Sequence, residues 1–158
     1  VTPDYLTQLY EHFARHELEA KEEGFMDVPE GEETRICSYE RLERSLREPH
    51  WTRVWIVYRN GKVIAHASIY DLGAPDGVVF GHIGIEQPYR GQGIARELQA
   101  SRFSFLDKHG FTLAGPISPG NDVSLRGCLA NGFQVLPDRG DGKTWVCRFP
   151  GQPVPEEE

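Results

Sequence analysis

The stretch "QPYRGQGIAREL", residues 87–98, decides how this chain is read. Gly91, Gly93 and Ala95 stand behind Arg90, and helical spacing starts at once: Ile94, Leu98, Ser101 and Phe105 share one face, with Phe103 opposite. The segment before it, residues 78–85 ("VVFGHIGI"), is apolar and rich in β-branched residues and reads as a strand. Bare backbone therefore sits where a strand hands over to a helix. The first turn of a helix carries N–H groups without intrahelical partners, and the helix dipole makes that end positive. Small residues let an anion reach those amides, so a phosphate or pyrophosphate is the natural ligand here, with Arg90 adding positive charge. Alternatively, Gly91 and Gly93 only shape a tight turn. The spacing is neither the dinucleotide pattern G-x-G-x-x-G nor the Gly-Lys-Ser/Thr of a phosphate loop.

Working outward, residues 54–58 and 62–70 read as strands joined at Asn60-Gly61, a strong hairpin signal. Pro75-Asp76-Gly77 turns into the strand at 78–85. After the helix of residues 94–109, residues 111–117 read as a strand and 122–131 as a helix stopped by Gly132. Residues 134–136 and 144–149 flank "DRGDG" (138–142) and read as a closing hairpin. Toward the start, Thr2-Pro3-Asp4 opens a helix with Leu6, Leu9, Tyr10, Phe13 and Ala20 on one face, ended by Gly24. An acidic loop covers 25–35, and a second helix runs from Ser38 to Pro49. The order is helix, helix, three strands, helix, strand, helix, two strands. The strands at 78–85 and 111–117 flank a helix and should be parallel, the others antiparallel. The expected fold is α/β (α+β): a mixed, mostly antiparallel sheet with helices on both faces. One domain fills residues 1–149, and 150–158 is a flexible acidic tail.

Composition narrows the function classes. The 158 residues suffice for one buried core, and the formal charge of −7 argues against nucleic acid as a partner. Such a surface suits a cationic small molecule or peptide. Cys37, Cys128 and Cys147 are scattered and form no Cys-x-x-Cys pair, so no metal site or disulfide framework is indicated. No apolar run spans a membrane and no signal-peptide pattern is visible, so the expected location is cytoplasmic.

Arg90-Gly91-Gln92-Gly93-Ile94-Ala95 resembles the R/Q-x-x-G-x-G/A signature of the GNAT superfamily of acyl-CoA-dependent N-acyltransferases, and residues 83–89 ("IGIEQPY") resemble the strand and turn that precede it. "NDVSLRGCLANGF" (121–133) resembles that family's second block, where an Asn opens a helix and Gly-Phe closes it. The likeness runs from about Val54 to Phe149, with the two N-terminal helices in the family's order.

The resemblance implies a GNAT-like fold whose two parallel strands splay. It implies that the amides of Arg90, Gly91, Gln92, Gly93, Ile94 and Ala95 hold the pyrophosphate of acetyl-CoA, the cosubstrate. Pantetheine would lie along Ile83, Gly84 and Ile85, with Asn121 and Ser124 beside it. Pro116, which lacks an N–H, suits an opened ladder, as it suits an ordinary strand end. The reaction implied is transfer of an acetyl or other acyl group to a primary amine by direct attack in a ternary complex.

That chemistry needs a base for the amine, a donor for the oxyanion and a proton for the thiolate. The family often draws the last from a tyrosine seven residues after the Asn; here that position is Cys128, whose thiol has an ordinary pKa near 8.5. Water or Ser124 could serve instead. For the base, His82 and Glu86 are candidates on or beside the first splayed strand, with His66 and Asp71 on the preceding one. Strand alternation sets His82 opposite Gly81 and Ile83, the face on which the family often carries its base. Asp27, Glu30, Glu32 and Glu33 would attract an ammonium or simply be solvated.

The family normally has a strand before the first helix, and this sequence begins almost at the helix cap; that edge strand is missing, very short, or supplied by a partner subunit, which leaves a homodimer open. The acceptor implied is a small-molecule amine. The alternatives are a protein lysine or N-terminus, or a non-catalytic module that senses coenzyme A.

Overall fold

The computed structural model describes residues 5–22, 52–70 and 76–153. The expected Thr2 cap, the acidic loop, the second helix at 38–49, Asp71 and the last residues of the tail lie outside these. Helix α1 (Tyr5–Glu22) comes first. Strands β1 (Thr52–Arg59), β2 (Lys62–Tyr70) and β3 (Val78–Ile85) follow. A short 3-10 turn (Gln87–Tyr89) leads to α2 (Ile94–His109), then β4 (Thr112–Ile117), α3 (Asp122–Ala130), β5 (Gln134–Val135) and β6 (Thr144–Arg148). Among the described residues the strands form one sheet of order β1-β2-β3-β4-β6-β5. Only β3–β4 is parallel, as the helix between them requires.

Local chemistry explains the turns. Asn60 and Gly61 both have positive φ (50° and 84°), the geometry of a type I′ hairpin. Asp76 Oδ1 accepts from the Val78 amide at 3.1 Å and fixes the start of β3. Asn121 Oδ1 accepts from the Ser124 amide at 3.3 Å and caps α3.

Alternation divides the sheet between two helices. Val54, Ile56 and Val63 pack with Leu6, Leu9, Tyr10 and Phe13 of α1. Trp55, Val57, Ala65 and Ala67 pack with Ile94 and Leu98 of α2 on the other face. A register shift at Val57/Tyr58 lets Val63 face α1 while Ala65 faces α2. The main core joins Ile69, Val79, Phe103, Leu106, Leu113, Phe133 and Val146.

One expectation fails. Ser101 is exposed and Phe105 only half-buried, whereas Phe103 is core and rests on Phe133. The buried stripe of α2 is Ile94, Leu98, Gln99, Arg102, Phe103 and Leu106. Two of those residues are polar, so an apolar pattern alone places the stripe wrongly.

Candidate active site

The parallel ladder is short. Val78, Val79 and Phe80 pair with Thr112, Leu113 and Ala114, and there the pairing ends, although β3 continues to Ile85 and β4 to Ile117. Beyond that point β3 stays with β2 as far as Ile85↔Ala65, and β4 stays with β6 as far as Ile117↔Thr144. The strands part into a wedge. Pro116 lies on its β4 side.

Above the wedge is the mouth of α2. Gly91 and Gly93 take φ of 77° and 83°, and a Cβ at either would meet no protein atom within 4 Å. Glycine is needed for the backbone, and the space beside it is clear. Gly93 is the N-cap of α2, so the first helical amides face outward. Arg90 folds back instead of reaching out: its Nε donates to the Ile85 carbonyl at 2.9 Å, and its Nη2 lies 3.8 Å from Glu19. Gln92 Oε1 accepts from Arg59 at 3.1 Å.

On the α1 face, Gly84 pairs with His66 and His82 with Ser68. His12, 0% exposed, donates from Nδ1 to Glu86 Oε2 at 2.8 Å and has Nε2 2.8 Å from His66 Nδ1. Arg15 donates from Nε to Glu86 Oε1 at 2.6 Å and from Nη2 to the Val63 carbonyl at 3.0 Å. A carboxylate only accepts, so the His12 proton sits on Nδ1 and its Nε2 accepts from His66 Nδ1. That leaves His66 Nε2 unprotonated.

Burial lowers the pKa of His12, against the pull of Glu86, and lowers His66 much further. Burial alone would raise Glu86, but the hydrogen bonds from Arg15 and His12 outweigh it and hold the carboxyl below its usual range. The cluster thus carries neutral imidazoles around one Glu–Arg pair. Glu86 is committed to that pair. A Cβ on Gly84 would lie 2.6 Å from the His16 ring, so the glycine lets α1 close over β3.

His82 stacks on Tyr70 (5.8 Å between centroids) and is exposed. Its surroundings still lower its pKa by burial, helped by the charge of Arg102.

On the α2 face, Arg102 is 3% exposed. Its Nε and Nη2 donate to Gln99 Oε1 (3.2 and 2.6 Å), and its Nη1 to the Ser68 and His82 carbonyls (3.2 and 3.1 Å). Gly81 makes the room: a Cβ there would lie 3.0 Å from Arg102 Nη1 and 3.3 Å from Leu113 Cδ1. Cys128, half-buried on α3, has its thiol pushed up by burial and pulled back by Arg102.

Of the sequence-predicted residues, Ile83, Gly84 and Ile85 lie on the splayed part of β3 and Arg90 to Ala95 at the turn into α2. Glu86, by contrast, is tied to His12 and Arg15, and Asn121 and Ser124 form the cap of α3. Cys128 lies on α3 within the electrostatic surroundings of Arg102. His12, Arg15 and Arg102 were missed. The only signal for them was polar side chains at buried helical spacing, His12 and Arg15 near Leu9 and Arg102 four residues after Leu98.

Among the described residues no group of three or more His, Cys, Asp or Glu is placed to hold a metal ion, and no helix is long and apolar enough to cross a membrane.

The fold is shared with solved structures. PaiA N-acetyltransferase from Thermoplasma acidophilum, in complex with coenzyme A, superposes with a TM-score of 0.75 at 15% identity, covering 94% of this chain and 95% of that one. Ribosomal-protein-alanine N-acetyltransferase from Brucella melitensis gives 0.66 at 19%, over 94% and 96%. YncA from Salmonella typhimurium, with its cofactor acetyl-CoA, gives 0.57 at 22%, over 70% and 72%. No curated protein sequence matches significantly. The sequence matches the family model of the acetyltransferase (GNAT) family over residues 6–126. With a match of that length, on a sheet that opens below the glycine turn, the chain belongs to the GNAT family of acetyltransferases.

Proposed function

We propose that this protein transfers an acetyl group from acetyl-CoA to the primary amine of a small molecule, by direct attack within a ternary complex. The observation that carries the reading is the wedge between β3 and β4 directly below the open mouth of α2. The amides from Gly91 to Ala95 hold the pyrophosphate. Pantetheine runs down the wedge past Ile83 and Gly84; the Ile85 carbonyl is already held by Arg90. Asn121 serves as the cap that aims α3 and Cys128 at the same wedge.

The amine arrives on the α1 face. His82 takes its proton, since of the histidines bordering the splayed part of β3 it is the most exposed, His12 and His66 being buried and His16 half-buried. Being neutral, His12, His66 and His82 do not repel an ammonium. Glu86 holds α1 to the sheet through His12 and Arg15 and does not meet the amine. The close cover of α1 over Gly84 supports a small acceptor rather than a polypeptide.

Thiol release from acetyl-CoA across a panel of amines and lysine peptides tests the reading. Release with small amines is expected. Release with peptides alone would move the acceptor to protein. Coenzyme A binding with no release under any amine would make the chain a sensor. Gly93→Val is expected to weaken coenzyme A by on the order of 100-fold, the worth of about two hydrogen bonds to a charged group. Unchanged affinity in a folded variant overturns the cradle.

A further inference from the structure

Among the described residues two arginines are buried to the same degree, and only one of them has a counter-ion there. Arg148, 2% exposed, meets Asp107 at 2.9 Å. Arg102, 3% exposed, meets no carboxylate among the described residues. A buried charge without an opposite charge costs several kcal/mol, and carbonyl dipoles recover part of that. A guanidinium has five N–H donors. Four are used, on Gln99, Ser68 and His82, and one on Nη2 has no acceptor among the described residues.

The ionisable groups that share its electrostatic surroundings are Cys128 from α3, His82 from β3 and His66 from β2. Burial holds the Cys128 thiol protonated, and an imidazole is neutral or cationic, so none of the three supplies a negative charge near neutral pH. Burial lowers Arg102 itself to about 10, with Cys128 opposing, which still leaves it charged near neutrality.

The place of this lone cation matters. It lies under Gly81, next to Leu113, one residue past the last β3–β4 pair. That is the apex of the wedge. The acyl-CoA reading above, on which this inference rests, brings a sulfur to that apex, and that sulfur becomes an anion in the reaction.

We infer that Arg102 is the electrostatic partner of the coenzyme A sulfur, stabilising it as the thiolate when the thioester breaks. The amine lone pair forms the N–C bond. The C–S bond breaks with its electron pair passing to sulfur, and the amine proton goes to His82 and on to solvent. The sulfur leaves as an anion and takes a proton from water after release. No acid is then needed at position 128, where the family often has a tyrosine.

The test reads ionisation rather than turnover. Coenzyme A and desulfo-coenzyme A are titrated into the protein by calorimetry, in buffers of different ionisation enthalpy, which gives the protons released per ligand bound. A thiol near 8.5 that is lowered by one to two units on binding releases about 0.4–0.8 proton at pH 7.5. Desulfo-coenzyme A releases none of this. The difference should vanish in Arg102→Met and persist in Cys128→Ala.

If both ligands bind with equal proton release, Arg102 does not face the sulfur and the inference falls while the coenzyme A reading stands. If neither binds, both fall. If the release vanishes in Cys128→Ala but survives in Arg102→Met, the proton came from the cysteine, and the inference falls. Should Arg102→Met not fold, Arg102→Lys carries the test: losing the fork geometry should move the pH midpoint of release by at least half a unit, and an unmoved midpoint overturns the assignment.

Discussion

The two faces of the sheet each hold a buried polar site under a glycine, and they treat charge in opposite ways. Under α1, beside Gly84, Glu86 is matched by Arg15 and His12. Under α2, beside Gly81, Arg102 is surrounded by carbonyls and an amide, with no acid among the described residues. The first site is electrically complete and ties α1 to β2 and β3. The second ties α2 to β2 and β3 through the Ser68 and His82 carbonyls, but it does so with a charge that meets no acid among the described residues. A buried guanidinium that meets only neutral acceptors recovers part of its hydration and no more, so it is costly to keep for stability alone. The completed site therefore reads as structure and the incomplete one as chemistry.

Removing a charge from each site gives the largest contrast. Glu86→Ala leaves His12 and Arg15 facing an emptied, buried position. The expected loss is about 3–4 kcal/mol in urea unfolding, at the lower end because Arg15 is itself 36% exposed and keeps water. Arg102→Met orphans the Ser68 and His82 carbonyls and Gln99 Oε1 but leaves no charge behind, so the expected loss is smaller, about 1–2 kcal/mol. Equal losses would erase the distinction between the sites.

The glycines give the next effect. An alanine Cβ at Gly81 would run into the Ser68 carbonyl, a backbone atom that cannot swing aside. At Gly84 it meets imidazoles of His16 and His66, at 2.6 and 2.9 Å, which can tilt. Thermal unfolding should show about 2–3 kcal/mol for Gly81→Ala and about 1 kcal/mol for Gly84→Ala. The reverse order would mean that the α1 site is the more rigid one.

Much of this architecture could be read from residue patterns, and the reason is local. Asn60-Gly61, the glycines at 91 and 93 and the cap at Asn121 each write their geometry in backbone preference. The β3–α2–β4 order enforces parallel pairing. The wedge was anticipated only through family resemblance and Pro116, since no local pattern says where a ladder stops. The sites themselves were half legible. His82, Glu86 and Cys128 stand within recognisable blocks. His12 and Arg15 lie 71 or more residues from Glu86 in the chain, so only folding brings them together. Arg102 was hidden for another reason: a charged residue on a buried stripe looks like an exposed one, and it shifted the predicted face of α2 onto Ser101 and Phe105.

Acid offers a smaller perturbation confined to the α1 site. His66 and His12 have folded pKa values below 6.5, so between the two values the unfolded chain binds more protons. Stability therefore rises with pH in that window and declines as pH falls below 6.5. Glu86 adds the same sign lower down: its contribution is present above 4.5 and is lost as pH drops through its lower folded value. Melting temperature should start to fall over about the first pH unit below neutrality, before most carboxylates titrate. His66→Asn should flatten that early fall. Arg102→Met removes only the smallest of the causes that lower His66 and should leave most of the fall in place, and a profile equally flattened by both changes would tie the two sites together.

The smallest expected effect sharpens the α2 site most. If a thiol at position 128 must protonate the leaving sulfur, Cys128→Ala should lower kcat by the general-acid range of about 10²–10⁴. If Arg102 stabilises the sulfur as an anion, the proton can come later from water, and the same change should cost less than about tenfold, or under 1.4 kcal/mol. The environment favours the second outcome. Burial raises the Cys128 thiol, and Arg102, the one charge that opposes this, is the group that would act on the sulfur directly. The ratio of kcat to KM separates a third case. A higher KM for acetyl-CoA at unchanged kcat means that Cys128 lines the pantetheine channel and takes no part in the proton. A loss of 100-fold or more in kcat, in a protein that still binds coenzyme A and still releases a proton on doing so, would make the cysteine the acid and reduce Arg102 to its helper.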